Sequence, residues 1–350
     1  MFRVGIDRGF LDAEGKTRYA DIGISPLRAA ANVAVEFLDE YLTELGPAHI
    51  AAYQGMILGG VAVSRRTFAE GSFGLIVLAR HGVGYDRIDV DACTANDVAL
   101  CTTPTASKHP VASASFAYIM ALAKRLVDKD RLVRSGRWDL SGTYCGNEIE
   151  GKTLGIVGLG NTGGELTRLV APFAMRVLAF DPYTPPEVAQ RLGVTLTTLD
   201  EVLREADFVC VHAKLTPETR HLLGARELAL LKPTAYFINC ARGPIVDQRA
   251  LTLVLQERRI AGAGLDVFEE EPLSVDDPLI QLDNVMLSPH TAAHTLELSI
   301  AMGNVNSAQM LAAARGEPPP HVVNAEVLER PGFRKKLEQW GTAPDHPARR

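Results

Sequence analysis

The chain has 350 residues, 47% of them apolar and 22% charged, which is enough to bury a sizeable core without a disulfide framework or a structural metal. Lys and Arg number 36 against 42 Asp and Glu, a net charge of −6, so no nucleic-acid partner is expected, because phosphate-backbone binding needs a basic face. No apolar run reaches the roughly 18 residues of a membrane span, and the five cysteines lack any C-x-x-C pair, so no membrane association and no metal site are expected, and the cytoplasm is the expected compartment.

The length predicts two domains. The opening Met1–Asp7 run reads as a strand and turn rather than a signal peptide. In the first hundred residues strands are predicted at 2–6, 55–58 and 75–79. A polar loop is predicted over 8–25 and a helix over 27–45, where apolar residues fall near helical spacing. Thr102-Thr103-Pro104 punctuates this half. One long helix is predicted from about 110 to 134, ended by Gly136. Strands then alternate with helices: strands at 153–157, 176–180, 207–211, 234–238, 260–265 and 284–286, with helices at 161–173, 199–204, 226–230 and 247–255. Six strands with intervening helices is the count of a doubly wound dinucleotide-binding domain, so the class is α/β with parallel sheets. A helix over about 292–314 is stopped by Pro318-Pro319-Pro320, and the tail from Pro331 reads as polar and peripheral. The predicted division is a dinucleotide-binding domain at 107–298 inserted into a discontinuous one made of 1–106 and 299–350.

The strongest local signal is Gly158-Leu159-Gly160-Asn161-Thr162-Gly163. It is a G-x-G-x-x-G that follows an apolar strand and opens a helix. Gly158 suits the tight turn, Gly160 lets backbone approach a pyrophosphate, and Gly163 allows close helix–strand packing. The amides of Asn161 and Thr162 at the helix N-terminus are the expected phosphate donors. Asp181 lies 18 residues beyond Gly163, at the end of the next strand. There an acid accepts hydrogen bonds from the ribose hydroxyls of NAD and repels a 2′-phosphate. The bland alternative is a tight βα turn with a surface Asp.

Three later strand ends carry charged or titratable groups. Arg242 follows Asn239-Cys240-Ala241, and its planar fork suits bidentate capture of a carboxylate. Glu271 closes the Glu269-Glu270-Glu271 run, and His290 follows Ser288-Pro289. Singly, these read as a surface ion pair, a solvated acidic face and a packing histidine. Together they are what reduction of a 2-keto acid requires. Arg242 would hold the substrate carboxylate and polarise the carbonyl. His290 would donate the proton, and Glu271 would hydrogen-bond the imidazole and favour its protonated form.

With these blocks and Arg80-His81-Gly82-Val83-Gly84-Tyr85-Asp86, Leu215-Thr216-Pro217-Glu218-Thr219 and Leu265-Asp266-Val267-Phe268-Glu269, the chain resembles the D-isomer-specific 2-hydroxyacid dehydrogenases. The resemblance implies two Rossmann-like doubly wound domains with the active site in the cleft between them, and a small 2-hydroxy or 2-keto acid as substrate. It implies Arg242, Glu271 and His290 as catalytic residues. Cofactor contacts are implied from Gly158, Gly160, Asn161, Thr162, Gly163, Asp181, Cys240, Ala241, Arg242, Asp266 and His290, with NAD as cofactor. Substrate-carboxylate binding is implied for Arg242 and for the backbone amides of His81, Gly82, Val83 and Gly84. A homodimer built on the long helices is implied as well.

Departures from the family's usual pattern are Lys214, where proline is frequent and where a lysine tolerates NADP, and Ser113 in place of a frequent Glu. His212, His221 and His294 read as structural or helix-surface residues, and Cys240 as a small residue against the cofactor rather than a nucleophile. Alternatives are an NAD(H)-sensing binding protein of corepressor type, or a formate or phosphite dehydrogenase of the same superfamily.

Overall fold

The structure, a computed structural model, describes residues 1–19 and 21–341. The chain divides into two compact units, residues 1–107 with the segment from His294 onward, and residues 108–293. Both are parallel sheets flanked by helices.

The first unit holds β1 (Phe2–Ile6), β2 (Val33–Phe37), β3 (Gly55–Leu58), β4 (Val77–Arg80) and β5 (Ala99–Cys101), in the order β2-β1-β3-β4-β5. All neighbours run parallel. The middle strands are near-continuous apolar runs because helices cover both faces of such a sheet. The helix expected over 27–45 is not there. Ser25–Ala29 is a short helix, and Val33–Phe37 pairs with β1 in register Val4↔Val35. The alternation and β-branching of Val33-Ala34-Val35 suit a pleated edge, and backbone pairing to β1 outweighs the loose helical spacing of the leucines. The expected polar loop over 8–25 is partly core, since Phe10, Ile22 and Ile24 are buried against β1 and the long C-terminal helix.

That helix is Leu296–Ala314, with Thr295 capping it through a bond from the Leu298 amide. It therefore begins after His294, which is not a helix residue as expected. The tail is not peripheral as far as Gly341: Pro331–Glu338 is a helix that buries Phe333 and Leu337 beside Phe2, and the rest of the tail, 342–350, lies outside the described residues. Lys336 ties it down, donating from Nζ to Ser72 Oγ and to the carbonyls of Leu75, Asn96 and Asp97 at 2.8–3.0 Å. Burial lowers its pKa to about 8, with the Asp97 charge opposing.

The second unit holds β6 (Thr153–Val157), β7 (Arg176–Phe180), β8 (Thr195–Leu196), β9 (Phe208–Val211), β10 (Tyr236–Asn239), β11 (Gly262–Leu265) and β12 (Val285–Leu287), in the order β12-β11-β10-β9-β6-β7-β8. The six expected strands are joined by the two-residue edge strand β8. The single helix expected over 110–134 is two, Lys108–Ala123 and Leu126–Arg134. Arg125 between them is left-handed at φ 53°, and the Ala123 carbonyl accepts from the Asn147 amide at 2.7 Å. Another segment of the chain thus takes the carbonyl that would have continued the helix. No helix among the described residues is long and apolar enough to cross a membrane.

Candidate active site

The strand order of the second unit reverses between β6 and β9, and in open α/β sheets ligands bind outside the carboxyl ends of strands at such a point. Gly158 leaves β6 at φ +95°, and a Cβ there would stand 2.5 Å from the Ala213 nitrogen beyond β9. Only glycine fits that crossing. A Cβ on Gly163 would stand 2.5 Å from the Gly158 carbonyl oxygen, so this glycine sets the helix against the turn. A Cβ on Gly160 would meet no protein atom, so packing does not require glycine there, whereas close approach by a ligand would.

The helix Asn161–Val170 starts with no side-chain cap and no acid in its first turn. Its first amides, those of Asn161, Thr162 and Gly163, are uncapped donors at a positive dipole end. A cavity of about 930 Å³ lies over them, lined by Gly160, Asn161, Asp181, Lys108, Arg168 and Lys214 among others. The uncapped amides, the open Gly160 and the charge balance of this lining fit a dinucleotide. His212 also lines it; its Nε2 is buried without a protein partner and burial lowers its pKa to about 4.

Asp181 is fixed by backbone. Its Oδ2 accepts from the Leu159 amide at 2.8 Å, and its Oδ1 from Tyr183 and Thr184 at 2.9 and 3.1 Å. A carboxylate offers about four acceptor positions, so one remains on Oδ2.

The loops after β10, β11 and β12 are neighbours because those strands are. After β10 the Asn239 side chain accepts from the Ala241 amide at 3.0 Å and donates to the Arg242 carbonyl at 3.1 Å, folding the turn that presents Arg242. A Cβ on Gly243 would come within 1.9 Å of the Phe268 carbonyl group, so glycine there lets the two loops touch backbone to backbone. Burial pushes the Cys240 thiol up to about 12, with a Ser115 hydrogen bond opposing; it is therefore a thiol, not a thiolate, at neutral pH.

After β11, buried Asp266 organises the third loop. Its Oδ1 accepts from the amides of Thr291 and Ala292 at 2.8 and 2.9 Å and from the Ser288 hydroxyl, and its carbonyl accepts from the His290 amide at 2.8 Å. Ser288 is shared with Tyr118 Oη at 2.6 Å. Neither Tyr118 nor this use of Asp266 is legible in the sequence, since both depend on which loops meet. His290 is held at φ +56°, in the left-handed region that few non-glycine residues adopt, with its Nδ1 2.7 Å from Glu271 Oε2. Glu271 Oε1 accepts from the Phe268 amide at 3.1 Å. Burial raises the Glu271 pKa, but the His290 hydrogen bond and charge, the Phe268 amide and the Arg242 charge outweigh it and hold the carboxyl below its usual range. A carboxylate only accepts, so Nδ1 carries the hydrogen and Nε2 is the nitrogen left for a reacting group.

Arg242, Glu271 and His290 thus share one end of one sheet. In the first unit, the His81 and Gly82 amides already donate to the carbonyls of Leu58 and Arg80. Among the described residues the Val83 and Gly84 amides make no such backbone bond, which narrows the expected carboxylate donors to these two.

Residues 116–292 match the family described as D-isomer specific 2-hydroxyacid dehydrogenase, NAD binding domain. A glyoxylate reductase of Korarchaeum cryptofilum is 42% identical over 264 residues, 74% of this chain and 80% of the relative. One from Pyrococcus furiosus is 40% identical over 270 residues, 75% of this chain and 80% of the relative. Among solved structures, the TT0316 protein of Thermus thermophilus superposes with a TM-score of 0.81 at 29% identity, over 92% of this chain and all of the other. A glyoxylate reductase of Paecilomyes thermophila superposes at 0.78 and 25% identity, over 93% of this chain and 99% of the other.

Proposed function

The chain belongs to the D-isomer-specific 2-hydroxyacid dehydrogenases, NAD-binding oxidoreductases that act on CH–OH groups, and from that premise we propose that it interconverts a small 2-keto acid and its D-2-hydroxy acid, with His290 moving the proton. When bound, the nicotinamide supplies or accepts the hydride. The observation that carries the residue roles is the 2.7 Å bond between His290 Nδ1 and Glu271, which leaves Nε2 as the outward nitrogen of a half-exposed imidazole.

In reduction, imidazolium Nε2–H donates to the oxygen developing negative charge, and the Glu271 carboxylate stabilises the cation that must be present beforehand. Arg242 anchors the substrate carboxylate with its fork and draws electron density from the carbonyl. The amides of Val83 and Gly84 are the proposed further carboxylate donors. Asp181 receives the adenosine ribose through the remaining position on Oδ2 and disfavours a 2′-phosphate, so NAD is the proposed cofactor; Lys214, on the same cavity, is the residue that would moderate that preference. The similarity to glyoxylate reductases supports glyoxylate as the first acid to try.

The test is NADH oxidation followed by absorbance with glyoxylate and larger 2-keto acids. His290→Asn should lower kcat by about 10²–10⁴-fold, whereas Arg242→Ala should raise KM and lower kcat together. Tight NADH binding without turnover of any acid would overturn the reading and favour a binding protein.

A further inference from the structure

Tyr118 has no part in the proton or carboxylate chemistry, yet a chain of hydrogen bonds joins it to Asp266. It sits on the helix Lys108–Ala123 and is 6% exposed. A Cβ on Gly264 of β11 would stand 2.5 Å from Tyr118 Cδ1, so a glycine in the strand lets the ring lie against the backbone. Glycine weakens a strand interior, and close approach of another group is a usual reason to find one there. Asp266, two residues further on, is 4% exposed. Tyr118, Gly264, Asp266 and Ser288 all lie within the second unit.

Each hydrogen in the chain has one possible direction. Asp266 Oδ1 accepts from the amides of Thr291 and Ala292 at 2.8 and 2.9 Å, so this oxygen carries no proton and can only accept from Ser288. The serine hydroxyl has a single hydrogen and gives it to Asp266. Its Oγ therefore accepts from the Tyr118 hydroxyl at 2.6 Å. Burial pushes the phenol up to about 12, with the Ser288 bond opposing, so it keeps that hydrogen at neutral pH. Three donors thus converge on Oδ1 and hold the carboxylate plane, while among the described residues none bonds Oδ2. The Asp266 carbonyl accepts from the His290 amide at 2.8 Å, so the same residue is tied to the loop that carries His290.

Resting on the dehydrogenase reading above, with Asp266 as a cofactor contact, we propose that Tyr118 is a positioning residue for the nicotinamide end of the cofactor. Through Ser288 it aims Asp266 Oδ2 as the acceptor for the carboxamide NH₂, so the site selects cofactors that carry this donor. A hydroxyl that accepts one hydrogen bond donates a stronger one. With one lone pair taken by Tyr118, the Ser288 hydroxyl is fixed about its C–O bond and its hydrogen points at Oδ1. Without the phenol the hydroxyl is free to turn away, and two amides of one loop are left to hold the carboxylate.

The test is calorimetric titration with NADH and with reduced 3-acetylpyridine adenine dinucleotide, in which a methyl replaces the amide NH₂ and the rest of the molecule is kept. The wild type should bind NADH more tightly by on the order of tenfold or more, as for a hydrogen bond to a charged group. Tyr118→Phe, which keeps the buried ring, and Ser288→Ala should each lower that ratio by about threefold or more, weakening NADH while leaving the analogue within about twofold. A merely structural tyrosine would weaken both cofactors alike. Equal losses, or a ratio unmoved in either variant, overturn the proposal. A wild type that does not distinguish the two cofactors also overturns it, while NADH-dependent reduction of an acid by the same protein leaves the dehydrogenase reading standing. A wild type that does not bind NADH at all removes that reading and the inference with it.

Discussion

Replacing Glu271 with Gln keeps the size and one acceptor for His290 Nδ1 but removes the charge. The bond is 2.7 Å long, and the His290 and Glu271 side chains are 45% and 36% exposed. Screened as in water, two unit charges at that separation attract by about 1.5 kcal/mol. Measured exposed pairs deliver roughly 0.2–1 kcal/mol, so about 1 kcal/mol is the reasonable value here. At ~1.4 kcal/mol per tenfold this is a roughly fivefold change in rate at a fixed pH on the limb that depends on the pair. The sign follows from which form is favoured. The carboxylate stabilises the imidazolium, reduction needs the imidazolium, and its rate falls as pH rises through the limb. Without the charge that limb should move to lower pH, and the rising limb of the oxidative profile should move the same way. Because the Glu271 carboxyl is itself held below its usual range, the wild-type pair should survive acidification into the ordinary glutamate range before breaking. The assay is initial rate against pH in both directions, with NADH affinity measured alongside. Superimposable profiles for wild type and Glu271→Gln would mean that the pair does not set the proton, and the role of Glu271 would have to be withdrawn.

Asp181→Ala should weaken NADH binding on the order of tenfold, as for loss of a charge-assisted hydrogen bond, and should narrow the gap to NADPH. Titrations with both nucleotides read this, and an unchanged ratio would assign the ribose elsewhere. Lys336→Met should lower unfolding free energy by on the order of 3 kcal/mol, since it strips a shared donor from four acceptors. The folded pKa of Lys336, about 8, lies below the ordinary 10.5. The unfolded chain therefore holds more protons between those values, and the wild type should gain stability as pH rises through that window. Urea unfolding at pH 7.5 and 10 measures both effects, and a variant that keeps the rise would refute the assignment to Lys336.

Much of the second unit was legible in the sequence because its signals are local. Gly158, Gly160 and Gly163 sit within one turn between an apolar strand and a helix, and their spacing has few other uses. Arg242, Glu271 and His290 each stand just past a recognisable strand, so a parallel sheet alone suffices to put them at one end. The failures came where a neighbour in space overrode a local pattern. Val33–Phe37 became a strand because β1 offered an edge, and the helix expected to run through Arg125 was ended by the amide of Asn147, which arrives from a later loop. Asn306 and Gln309 fall inside the helix expected over about 292–314, with no local signal to mark them. Only the fold sets them between the Thr102 carbonyl and His81, where removal from water makes each hydrogen-bond direction obligatory. Sequence determined which groups the chain carries and on which strand ends. Tertiary structure decided which nitrogen of His81 and of His290 holds the hydrogen, because that depends on partners that only the fold brings together.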